Sequence, residues 1–185
     1  MKRPDSPDDL LRNARDAAGT VDVRPSVRKL TLHALESHPL TPEHVVTVAR
    51  TVAEGIDSAR AAQAPEARRS RREAWAGLEE AIGEALQALE RAARELAACP
   101  PRHPEAELAG LRAAAEAMAH ELVRLWQPDA PLPGEVASRA AAITAHLSGA
   151  RPCVERPEAG AEMAFALRAR EHFLQARDTS VRERR

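Results

Sequence analysis

The sequence predicts an all-α protein: an antiparallel helical bundle of about five to seven helices around a heptad-patterned hairpin. Three observations carry that reading. Alanine fills 40 of the 185 positions, while Phe, Trp and Tyr together make up only 2%. Alanine is the best helix former and loses no side-chain entropy on folding, so such a chain favours close-packed helices over a thin core. Proline and glycine clusters separate stretches of helical apolar periodicity. Two of those stretches hold a 3-4 apolar alternation over three heptads.

The elements follow in order. Ser6 is an N-cap, Pro7 a first helical residue, Asp8 and Asp9 a matching first turn, and Gly19 a stop. A second helix is expected near Ser26, with Val27, Leu30, Thr31, Ala34 and Leu35 on one face. "SHPLTPE" then spells stop, turn and start. His38 precedes Pro39 and leaves the α region, Thr41 caps, Pro42 opens the next helix, and Glu43 faces its positive end. Val45, Val48, Ala49, Val52 and Ile56 form the third stripe.

Ser70 with Glu73 reads as a capping box, which starts the fourth helix at Arg71, with Pro65 the looser alternative. That helix runs to about Ala98. A fifth runs from Pro104 to about Gln127, a sixth from Glu135 to Leu147, and a seventh from Ala161 to Arg177 with Met163, Leu167 and Leu174 as its stripe. The domain plan is thus a bundle over 1–147, a Pro/Gly-rich linker over 148–160, a C-terminal helix over 161–177 and a frayed tail over 178–185.

The two heptad seams are Trp75, Leu78, Ile82, Ala85, Leu89, Ala92, Leu96 and Leu108, Leu111, Ala115, Met118, Leu122, Leu125. A short connector predicts that they fold back on each other, with paired residue numbers summing to about 200. Trp75 then meets Leu125, and Ala85 meets Ala115. The narrow Ala85–Ala115 layer calls for a filler, with Leu30, Val48 and Val52 as candidates.

Composition narrows the chemistry. The chain has 27 basic and 28 acidic side chains, a net charge of −1, which argues against bulk nucleic-acid binding. Lys2 and Lys29 are the only lysines; the bias to Ala, Arg, Pro and Gly suggests a GC-rich bacterial genome. Cys99 and Cys153 form no CxxC and read as free thiols of a reducing cytoplasm. Neither a signal peptide nor a membrane-spanning stretch is expected.

No catalytic residue, metal ligand or cofactor site is expected. No His has a Glu three residues before it, and HExxH, the P-loop, G-x-G-x-x-G and G-x-S-x-G are missing. Glu116 with His120 and Cys99 with His103 lack further ligands. Two features stand apart. Arg68, Arg69, Arg71 and Arg72 crowd a helix N-terminus, where cations oppose the dipole; they are either a solvated end or a partner contact. Trp75 and Trp126 share one end of the hairpin, as a core plug or as part of a partner-binding patch.

Val27-Arg28-x-Leu30-Thr31-x-x-Ala34-Leu35, followed by Val48-x3-Val52-Ala53-Glu54-Gly55, resembles a family of small proteobacterial helical proteins of unknown function. "WAGLEEAIGEALQALERAARELA" is similar in style, and the resemblance covers about residues 20 to 125. It implies a helical bacterial cytoplasmic protein and transfers no site residue. The expected function is a non-enzymatic interaction or scaffolding protein that binds a partner protein or itself. The alternative is a phasin- or apolipoprotein-like coat on an apolar granule or membrane surface.

Overall fold

The computed structural model describes residues 6–59, 65–98, 103–126, 134–150 and 160–182. Among them the chain forms α1 (Pro7–Ala18), α2 (Val23–Glu36), α3 (Pro42–Ser58), α4 (Pro65–Ala98), α5 (Glu105–Trp126), α6 (Gly134–Gly149) and α7 (Ala161–Arg182), with no strand. The protein is all-α, as its composition demands.

The first caps are where proline and hydroxyl residues put them. Ser6 Oγ accepts from the Asp9 amide at 3.2 Å, and Thr41 Oγ1 accepts from the His44 amide at 3.1 Å. Other boundaries differ from expectation. α2 begins at Val23 rather than near Ser26. Pro25 falls within its first turn, where the missing N–H would have no intrahelical partner, so proline does not delay the start. α4 begins at Pro65, and Ser70 lies inside it, so the Ser70–Glu73 pair is not a helix start. Proline is well suited to the first helical position, and the intervening Glu, Ala and Arg are good helix formers. α7 continues through Arg182, beyond the expected end at Arg177, so residues 178–182 are helical rather than a frayed tail.

The hairpin requires the largest correction. α4 and α5 do not lie side by side along the predicted seam. α4 packs against α2, α6, α7 and α3, while α5 packs against α6, α3 and α7. The cause is the breadth of α4's apolar surface. Beyond the seam, Ala74, Ala81, Leu86, Ala88 and Ala93 are also buried. An a/d stripe serves one neighbour, whereas this wider arc accommodates several. The Trp75–Leu125 layer is replaced by a ring contact between Trp75 and Trp126. Leu30, Val48 and Val52 share one buried core with Ala85 and Ala115, and α3 packs against both α4 and α5.

Two glycines set the tightest crossings. A Cβ on Gly77 would collide with the carbonyl oxygen of Arg24 on α2. A Cβ on Gly55 would stand 2.5 Å from Ala14 Cβ and 2.8 Å from Leu11 O on α1. Both helix pairs approach backbone to backbone, which dispersion rewards and which any larger residue would block.

α7 turns the opposite way from the sequence expectation. Ala161, Phe165, Ala166, Ala169 and Phe173 are buried, while Met163, Leu167 and Leu174 are 49%, 51% and 37% exposed. Both sets have helical spacing. Burying the two phenylalanines, the only ones in the chain, removes more apolar area from water.

Candidate interaction surface

The arginine cluster occupies the first turns of α4. Arg68, Arg69 and Arg72 are exposed. Arg71 points elsewhere: its guanidinium lies 2.9 Å from Asp57 of α3, and its side chain is only 23% exposed. One member therefore ties α4 to α3, and three project outward. Further along α4, Trp75 is half-buried and meets the buried Trp126 edge to face, with ring centroids 5.4 Å apart. Trp75 Nε1 is buried and has no hydrogen-bond partner among the described residues. The structure thus brings the two tryptophans together and separates Arg71 from its neighbours in sequence.

Elsewhere, several arginines that face a neighbouring helix are paired with carboxylates. Arg24 Nε donates to Glu80 at 2.8 Å, Arg28 pairs with Glu80 and Glu84, and Arg50 pairs with Glu121 at 2.7 Å. Arg139 links α6 to Glu90 of α4 at 3.3 Å. Arg24, Arg28, Glu79, Glu80, Glu135 and Arg139 line an open groove of about 520 Å³ between α2, α4 and α6. Burial pushes the Glu79 carboxyl above its usual range, and neighbouring Glu80 adds to the effect. Since each of these guanidiniums already meets a carboxylate, the groove is an ion-paired seam between helices.

α5 holds the ends of its neighbours by two charges. Arg112 donates to the carbonyls of Leu147 at 3.0 Å and Ala150 at 3.2 Å, where α6 ends. Glu107 accepts from the Ala161 amide at 2.8 Å, where α7 begins. Cation on C-terminus and anion on N-terminus both complement the helix dipole. At the other end of α7, Arg177 pairs with Glu36 of α2; burial, then nearby Arg28, lowers the Arg177 pKa. No residue of this set stands out in the sequence, because the partners are distant in the chain and only the fold brings them together.

His38 and His44 meet edge to face at 5.3 Å across the α2–α3 corner. The His44 ring lies 3.2 Å from the Ala34 carbonyl near the end of α2. Glu116 and His120 are both exposed. Among the described residues no group of three or more His, Cys, Asp or Glu side chains is arranged to hold a metal ion. Cys99 and Cys153 lie outside the described residues. No described helix is long and apolar enough to cross a membrane.

No curated protein matches this chain, and neither does any solved structure. Residues 3–124, from the start of the chain to the last turn of α5 and more than half of its length, match the Family of unknown function (DUF6781), and the chain belongs to that family.

Proposed function

We propose that this protein is a non-enzymatic helical interaction protein of the cytoplasm, binding a partner protein or a second copy of itself through helix faces. The observation that supports this best is the outward group Arg68, Arg69 and Arg72. Arg68 and Arg72 stand four residues apart on α4, and like charges at that spacing repel at a cost of ~0.2–0.5 kcal/mol. The three arginines have no carboxylate partner among the described residues, although several arginines between helices elsewhere are paired. Unfavourable charge kept at the surface suits an intermolecular contact. Trp75 and Trp126, behind it, hold the α4 and α5 ends together.

Size-exclusion chromatography with light scattering decides between self-association and a heterologous partner. A partner found by crosslinking in cells and then purified should bind the intact chain. It should lose that binding in an Arg68→Gln/Arg69→Gln/Arg72→Gln variant whose melting temperature is unchanged. Undiminished binding by that variant would place the interface elsewhere.

One observation favours the coat-like alternative. Met163, Leu167 and Leu174 expose an apolar stripe on α7 that could lie on a granule or membrane surface. Co-sedimentation with lipid vesicles tests it, and Leu167→Gln/Leu174→Gln should abolish pelleting if it holds.

A further inference from the structure

The outward guanidiniums of α4 form a short patch with acidic margins. Arg68 and Arg72 stand one turn apart, ~6 Å along the axis, with Arg69 beside them. Glu66 precedes the group and Glu73 follows it. Arg71, which could have widened the patch, is engaged by Asp57 at 2.9 Å. The net charge of −1 supplies no broad positive field around it.

Spacing and margins select the ligand. Carboxylates recur ~6.6–6.8 Å apart on alternate residues of an extended segment, and ~6 Å apart at i and i+4 on a helix. Either matches the Arg68–Arg72 interval. A polynucleotide would continue its phosphates past the patch onto Glu66 and Glu73, and its affinity grows with the number of phosphates neutralised. An anionic bilayer would meet the same acidic margins. We propose, resting on the interaction reading above, that Arg68, Arg69 and Arg72 receive a short acidic segment of a partner protein, with two or three carboxylates at that spacing. Guanidinium forks suit this role because they hold carboxylates bidentately.

The test is fluorescence anisotropy of the full chain with a short labelled peptide alternating Glu and Ser. A Gln–Ser peptide, a single-stranded oligonucleotide of equal charge and phosphatidylserine vesicles run in parallel. The Glu–Ser peptide should bind at least about tenfold more weakly to Arg68→Gln/Arg69→Gln/Arg72→Gln, whose folding is verified by circular dichroism. Arg15→Gln/Arg91→Gln removes two exposed charges elsewhere and should leave affinity within about twofold. Equal binding to the triple variant, or to the Gln–Ser peptide, overturns the proposal. Tighter, patch-dependent binding of oligonucleotide or vesicles overturns the acidic-protein assignment and leaves the patch as an interaction surface. Failure of all three anionic probes overturns the assignment and also counts against the interaction reading of this face.

Discussion

His44 closes the α2–α3 corner from the α3 side. Its ring lies 3.2 Å from the Ala34 carbonyl near the end of α2, which also accepts from the amide and the hydroxyl of Ser37. A neutral imidazole donates that hydrogen bond. Burial lowers the His44 pKa, nearby His38 lowers it further, and the Ala34 carbonyl opposes the shift. The unfolded chain therefore takes up a proton at a pH where the folded chain does not. Stability from this residue is complete above the ordinary histidine pKa of ~6.5 and falls as pH drops through it. Urea midpoints measured on either side of that pH should decline on acidification, and His44→Gln should flatten the decline. An unchanged slope in the variant would remove His44 as its source. Glycine gives a second residue-scale contrast. Gly77→Ala forces α2 and α4 apart and should cost ~1–3 kcal/mol. Gly83 faces open space, with no neighbouring atom within 4 Å of where a Cβ would stand, so Gly83→Ala should gain up to ~1 kcal/mol from helix propensity. Denaturant titrations showing the same sign for both would contradict the crossing.

At the scale of elements, sequence legibility tracks the locality of the physics. The α1 and α3 starts are readable because Ser6 or Thr41, a following proline and an acidic first turn act within a few residues. Pro25 and Ser70 mislead because each is compatible with more than one place in a helix. The α4 arc is hidden because alanine looks like filler until neighbours pack on it from several sides. α7 carries two apolar stripes of the same period, and only the competition for burial selects Phe165 and Phe173. The outward arginines are visible as a cluster, but Arg71 cannot be told from its neighbours without Asp57. Leu89 lies fully buried on α4, so Leu89→Ala should cost ~2–5 kcal/mol in equilibrium unfolding. A loss below ~1 kcal/mol would mean that α4 is not the packed centre.

For the whole molecule, α4 is the hub, and four of the other helices pack along it to a significant extent. A global stability of ~5–15 kcal/mol makes single core losses costly, while surface charge changes remain small. Arg68→Gln/Arg69→Gln/Arg72→Gln should therefore leave the melting temperature unchanged or slightly raised, since it relieves repulsion between neighbouring guanidiniums. Adding Arg71→Gln should lower it, because Asp57 loses its partner. Equal effects of the triple and quadruple variants in thermal unfolding would show that the α3–α4 ion pair contributes nothing measurable.

Arg112 and Glu107 have a consequence for how this chain can change over time. The end of α6 and the start of α7 are each addressed by a side chain of α5, so instructions for placing both reside on α5. A substitution at Glu107 that removes the carboxylate erases the address at the start of α7, however well α7 itself is preserved.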